Sequence, residues 1–272
     1  MKVLLVLSLA LACASAAPGY EIPVVPRDLI VAGAPEGRIT NGQQAAPGQF
    51  PYQVGLSLQT NAGSFWCGGS LIGNTWILTA AHCTDGAFRV TAYLGSTVRT
   101  VASVVHSVDA SNIYQHSGYN AYYLSNDISL IRILAVAYSN LINIARLPAI
   151  SSAYSTYAGD YAIASGWGRT ADTGSVANNL NYARFEVITN AACNNYYIAG
   201  FVNSGTLCIS TPNGRSTCQG DSGGPLVLEN TNLLIGVTSF VPTAGCTVGG
   251  PAGFVRVTTF LPWIRDISGI AY

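Results

Sequence analysis

Charge is scarce in this chain of 272 residues. Only 9% of them are Asp, Glu, Lys or Arg, and twelve cationic residues balance twelve anionic ones to a formal net charge of zero. No basic surface is available for nucleic acid or for an anionic membrane, and neither is expected as a partner. Lysine is nearly absent: Lys2 is the only one, and every other basic residue is Arg. Arg stays protonated well above the pH at which Lys begins to titrate. That choice fits an alkaline or protease-rich lumen such as a gut, although compositional drift explains it equally well. Histidine is limited to His82, His106 and His116, which are scattered, and no C-x-x-C pair occurs. Metal ligation has little to build on, and neither metal nor cofactor is expected. No Asn-x-Ser/Thr sequon occurs, so no N-glycan is expected. No apolar run is long enough to span a bilayer.

Hydrophobic residues are plentiful at 49%, with 29 glycines, which suits a turn-rich β protein with a substantial core. The first 16 residues read as a secretory signal: Lys2, the apolar stretch Val3 to Ala12, and the small-residue cleavage site Ala14-Ser15-Ala16. Of the seven cysteines, Cys13 leaves with that signal. The remaining set, Cys67, Cys83, Cys193, Cys208, Cys218 and Cys246, is even-numbered in an exported chain, which favours disulfides. Spacing alone leaves their pairing open.

Residues 17–38 are rich in Pro, Gly and Ala and read as an exposed linker ending Pro35-Glu36-Gly37-Arg38. Beyond it, short strand signals alternate with turns. Val54, Leu56 and Leu58 interleave with Gln53, Gly55 and Ser57, and Arg89 to Leu94, Ala162 to Gly166 and Ala183 to Ile188 have the same character. Leu233 to Phe240 is more continuously apolar. This pattern predicts an all-β barrel or sandwich. One helix is predicted at the C-terminus, capped by Thr258 or Thr259, with Pro262 in its first turn and Trp263, Ile267 and Ile270 on its packed face.

Three short segments carry chemistry. In Cys218-Gln219-Gly220-Asp221-Ser222-Gly223-Gly224-Pro225, glycines flank a serine, allowing a sharp turn and close approach to another molecule. The N–H groups of Gly220 and Ser222 are candidates for an oxyanion hole. Asp221, if buried, needs a cationic partner. The plainer reading is a tight glycine turn. A nucleophilic serine also needs a base, because a free hydroxyl is too weakly acidic. Thr79-Ala80-Ala81-His82-Cys83 offers an imidazole after an apolar run, and Ser125-Asn126-Asp127-Ile128-Ser129-Leu130 offers a carboxylate at the head of another. Imidazole, with an unperturbed pKa of about 6.5, exchanges protons near neutral pH.

These motifs, in the order His, Asp, Ser, resemble those of the chymotrypsin-type serine peptidases, and the resemblance extends from Ile39 to Tyr272. In detail the chain is similar to insect digestive chymotrypsin-like peptidases and related serine collagenases. Trp76 to Cys83, Leu233 to Phe240 and Gly253 to Thr258 carry that likeness. Collagen cleavage does not follow from it, since that depends on an extended groove.

The resemblance implies two packed antiparallel Greek-key β-barrels with a C-terminal helix, at about 39–148 and 149–272, divided near Ile144 to Pro148. It implies His82, Asp127 and Ser222 as a catalytic triad in the crevice between the barrels, and disulfides Cys67–Cys83, Cys193–Cys208 and Cys218–Cys246. It implies a zymogen cut after Arg38 by a trypsin-like protease, freeing an ammonium on Ile39 that pairs with Asp221. Thr40 and Asn41 depart from the usual Ile-Val-Gly-Gly start.

The resemblance also implies that Ser216, six positions before Ser222, forms the floor of the primary pocket, where trypsin-like members carry Asp. By the same resemblance Ser239, Val241 and Ala252 are expected in its walls, the last two replacing the usual glycines. Cleavage after Phe, Tyr or Leu is expected, with elastase-like cleavage after Ala or Val as the alternative. The expected partners are protein or peptide substrates, the activating protease and protein inhibitors, with the chain itself a monomer. No calcium site is implied, because the acidic pair of some relatives is missing after Tyr93-Leu94-Gly95-Ser96. The rival function is a binding protein on the same fold without activity.

Overall fold

In the computed structural model, residues 39–272 are described. The signal, the linker, Cys13 and Arg38 lie outside them.

The first strand of the described residues is the short β1 (Gln43–Gln44). A first sheet then uses β2 (Gln53–Thr60), β3 (Gly63–Gly73), β4 (Trp76–Thr79), β5 (Ala87–Leu94), β6 (Val104–Asp109), β7 (Ile113–Gln115) and β8 (Ser129–Arg132). A second uses β9 (Tyr161–Gly166), β10 (Asn181–Ile188), β11 (Thr206–Ile209), β12 (Pro225–Leu228), β13 (Leu234–Phe240) and β14 (Ala252–Arg256). Helices among the described residues are few: α1 (Ala81–Thr84), α2 (Asn190–Asn194) and α3 (Val257–Ser268).

The second sheet closes into a barrel in the order β10-β11-β14-β13-β12-β9, with β9 pairing back to β10 and β1 added to β10. The first sheet supplies the other half of the expected all-β fold and curls less completely. Its order is β6-β5-β2-β3-β4-β8-β7, a curled half-barrel with β6 and β7 as edges. These edges follow one another through the turn Ala110–Asn112, which Asp109 caps by accepting the Ser111 N–H. Both are short, and the described ladders contain no pairing between them.

Alternation explains the faces. In β10, Asn181, Ala183, Phe185 and Val187 are buried while Arg184 and Glu186 are exposed, as expected for a strand with one face on the core. The barrel interior holds Phe185, Leu207, Ile209, Leu226, Ile235 and Phe254, and Ile39 packs with them at 0% exposure. The other core is continuous across the two sheets. Leu56, Leu71, Ile77 and Leu130 of the first sheet share it with Trp167, Val237 and Val255 and with the buried face of α3. A hydroxyl–amide bond joins the halves as well: Ser165 Oγ donates to Gln53 Oε1 at 2.6 Å.

The C-terminal helix differs in phase from its sequence reading. It begins one residue after β14 ends, with Arg256 as its N-cap, so Thr258 and Thr259 lie inside it and Pro262 falls in its second turn. Its buried face is Val257, Thr258, Phe260, Leu261 and Ile264. Trp263 is half-buried against that core, Ile270 lies beyond the helix end, and Ile267 is exposed. Starting the helix earlier rotates the apolar stripe onto the preceding residues.

Candidate active site

Four backbone segments meet where the two sheets face each other. Apolar strand β4 delivers its last residue, Thr79, directly to the turn of helix that carries His82. Asp127 is placed just ahead of β8, which lies beside β4 in the sheet, with Thr79 opposite Ser129. That register brings a carboxylate and an imidazole 45 residues apart into contact.

Asp127 is completely buried and its carboxylate accepts three bonds. One oxygen takes the His82 backbone N–H at 2.8 Å. The other takes His82 Nδ1 at 2.7 Å and the Ser239 hydroxyl at 2.6 Å. A buried carboxylate requires such donors, since an unpaired charge there is costly. With Nδ1–H committed to Asp127, Nε2 is left as the imidazole's acceptor.

Ser222 reaches the same place through β3. Its carbonyl accepts the Gly68 N–H at 2.7 Å. Gly68 follows Cys67, whose disulfide runs to Cys83, the neighbour of His82. Thr79 Oγ1 donates to the Gly68 carbonyl at 2.9 Å, which ties the strand bearing the histidine into the same knot. The approach is so close that side chains are excluded. A Cβ on Gly68 would lie 2.8 Å from Gly224 Cα, and one on Gly223, where φ is +76°, would lie 2.1 Å from Thr79 Oγ1. His82 and Ser222 are each 9% exposed, enough for contact with a substrate. A direct bond from Ser222 Oγ to His82 Nε2 is not among the hydrogen bonds of the described residues. Cys83 Sγ lies 3.7 Å from Nε2.

In the same turn the N–H groups of Asp221, Gly223 and Gly224 donate to Cys218, Thr238 and Asp221 carbonyls respectively. Those of Gly220 and Ser222 are not among the donors to protein acceptors in the described residues. Gly220 has φ +94°, a left-handed conformation that glycine adopts without strain.

Asp221 points the other way from Ser222, into the protein. It is 1% exposed and accepts the Gly168 N–H at 2.8 Å and the Cys218 N–H at 2.9 Å. Burial pushes its carboxyl up to about 7, against the lowering effect of those two bonds. Ile39 is buried in the barrel core, and the chain next to it is fastened to Ser216 by Thr40.

The remaining candidates take different places. Ser216 is fully buried and its hydroxyl has no partner among the described residues. Val241 is half-buried and packs on the cluster that contains Ala252. Ser239 turns its hydroxyl to Asp127, which leaves its backbone for the expected pocket wall. Sequence reasoning missed this third member of the network around Asp127. The available signal was a hydroxyl near the end of an apolar strand, which needs a buried partner.

Cysteines pair Cys67–Cys83, Cys193–Cys208 and Cys218–Cys246. Two clusters have ligand-like spacing, Cys67/His82/Cys83 and Asp172/Cys218/Cys246, but the sulfurs of both are bound in disulfides and offer no thiolate. A cavity of about 670 Å³ beside Tyr154, Asn190 and Arg256 contains no residue of this constellation.

Comparison with known proteins agrees with this geometry. The Trypsin family profile matches residues 39–264. Serine protease 1 of Drosophila melanogaster is 48% identical over 237 residues, covering 87% of this chain and 88% of that protein. Collagenase of Hypoderma lineatum is 44% identical over 273 residues, covering the whole of both. The solved structure of HL collagenase superposes with a TM-score of 0.79 at 43% identity, over 86% of this chain and all of that one. A shared fold, a family match over most of the chain and relatives this similar lead to one conclusion: the protein belongs to the trypsin family and is a serine endopeptidase.

Proposed function

We propose that the chain is an exported digestive endopeptidase, made as a zymogen, that cleaves after large apolar P1 residues through an acyl-enzyme. The observation that carries the catalytic part is the trio of donors on buried Asp127. They hold His82 with Nδ1–H directed to the carboxylate and Nε2 directed outward as a base. Ser222 Oγ attacks the substrate carbonyl carbon as His82 Nε2 takes its proton. The carbonyl oxygen gains the negative charge and is met by the Gly220 and Ser222 N–H groups, each worth a few kcal/mol in the transition state. His82 then returns the proton to the departing amine, the C–N bond breaks, and the serine is left acylated. Water, deprotonated by the same imidazole, releases the acid and restores the hydroxyl. The His82–Ser222 bond forms when substrate closes the site, as is common for catalytic contacts that are loose at rest.

Three features support the remaining parts. Asp221 is a buried carboxyl without a cationic side chain bonded to it among the described residues, which suits pairing with an Ile39 ammonium after cleavage at Arg38. Ser216 offers no charge in the floor of the pocket, which disfavours Lys and Arg. The signal at residues 1–16 supports export, and no helix of the described residues is long and apolar enough to cross a membrane. Elastase-like specificity is the second reading, favoured by Val241 packing into the cluster of Ala252 and so narrowing the pocket.

A peptide library with varied P1, incubated with the trypsin-treated protein and with its Ser222→Ala variant, tests the proposal. Cleavage after Phe, Tyr or Leu that disappears in the variant is expected. Preference for Ala or Val supports the second reading, and preference for Lys or Arg refutes the pocket assignment.

A further inference from the structure

The start of the mature segment reads Ile39-Thr40-Asn41-Gly42, and two of these residues bring side-chain hydrogen bonding to a place where Val and Gly have none. Thr40 is 1% exposed. Its hydroxyl donates to the Ser216 carbonyl at 3.0 Å and accepts the Ser216 N–H at 2.7 Å. One Oγ1 thus satisfies both backbone groups of a completely buried residue, and the two residues form an isolated antiparallel bridge. Asn41 adds a second tie: Nδ2 donates to the Asn213 carbonyl at 3.0 Å. Its φ of +55° is one that Asn tolerates better than most residues.

We propose that Thr40 is a positioning residue for substrate selection: its buried hydroxyl clasps both backbone groups of Ser216 and so fixes the floor of the primary pocket. The inference rests on the reading of Ser216 as that floor. The clasp is a side-chain device, and a valine in its place fills the same volume but leaves a buried N–H and a buried carbonyl of Ser216 unpaired. The floor would relax to find other partners, and the P1 side chain would bind less well. Ser222, His82 and Asp127 lie on other contacts and would keep their geometry.

The test compares Thr40→Val, Thr40→Ser and Asn41→Gly in the trypsin-treated protein. The substrates are peptides carrying the P1 residue preferred by the wild type, and a fluorophosphonate titrates the nucleophile. For Thr40→Val, KM is expected to rise about tenfold, the effect of losing one well-made buried bond, with the titrated fraction unchanged. Thr40→Ser restores the hydroxyl and should return KM to within about twofold of wild type. Asn41→Gly, which suits φ +55°, should raise KM by a smaller factor, and it carries the test if Thr40→Val does not fold. A merely structural hydroxyl would lower the melting temperature of Thr40→Val and leave KM and kcat of the folded enzyme as in wild type; that result, or an unchanged KM in Asn41→Gly when it alone folds, overturns the proposal. Failure of the wild type itself to react with fluorophosphonate would instead count against the endopeptidase reading.

Discussion

Replacing Asp221 by Asn in the cleaved protein should collapse activity without touching the proposed triad. The carboxyl is buried, held by two backbone N–H groups, and pushed up to about 7 by desolvation alone. An ammonium at Ile39 would reverse that push and keep the group ionised. Asn retains one acceptor for the two N–H groups and carries no charge, so the ammonium would be stranded in the barrel. Breaking one side of a buried pair costs about 3–5 kcal/mol. At 1.4 kcal/mol per factor of ten, the active conformation falls by about a hundredfold or more.

The pH dependence has a definite sign. Without the ammonium, the folded carboxyl lies above its unfolded value of 3.8, so it favours folding at low pH. That contribution disappears as pH rises from about 4 to about 7, a change on the order of 4 kcal/mol. With the ammonium present the loss is abolished. The dependence passes to the amine: the pair's contribution is present while the amine is protonated and is lost as it deprotonates at higher pH. Fluorophosphonate titration of cleaved wild type and Asp221→Asn measures the first effect. Urea unfolding of the cleaved chain against uncleavable Arg38→Gln, at pH 5 and pH 8, measures the second. Activity of Asp221→Asn within threefold of wild type, or parallel pH dependence of cleaved and uncleaved chains, would refute the pairing.

Other outcomes follow from the same contacts. Ser239→Ala removes one of three donors to Asp127 and should lower kcat about tenfold with KM nearly unchanged, in line with a charge-assisted bond of about 1.5–3 kcal/mol; steady-state kinetics that match wild type would remove Ser239 from the network. Gly223→Ala places a Cβ 2.1 Å from Thr79 Oγ1 at φ +76°, so turnover should be abolished and the melting temperature reduced, and a fully active variant would contradict the close packing at that turn. If the Arg-only surface reflects an alkaline setting, the cleaved protein should stay soluble from pH 7 to about 10, where Arg is still charged; aggregation just above pH 8, followed by light scattering, would point to drift instead.

Strand signals were the most legible part of the sequence. Alternation over Gln53 to Leu58 and Ala183 to Ile188, and the apolar run ending at Phe240, fall within β2, β10 and β13 or a residue from them. Such periodicity is local, and burial of one face enforces it. The open first sheet was not legible, because closure depends on where β6 and β7 lie relative to each other, which no single strand encodes. Helix α3 was recognised, but its phase was not. Arg256 runs straight from β14 into the helix, so no hydroxyl cap marks the boundary and the buried stripe falls on Val257, Phe260, Leu261 and Ile264. At the site, the residue types were visible in three short motifs. The contact of Ser239 with Asp127 spans 112 residues and that of Thr40 with Ser216 spans 176, distances at which sequence spacing carries no signal.

The account depends on Ser222 being activated by His82. Labelling the trypsin-treated protein with a fluorophosphonate and locating the adduct by mass spectrometry tests this directly. A single phosphonylated residue is expected, Ser222, with labelling lost in Ser222→Ala and slowed by orders of magnitude in His82→Ala. Modification elsewhere, or labelling of Ser222 at the same rate without the imidazole, would contradict it.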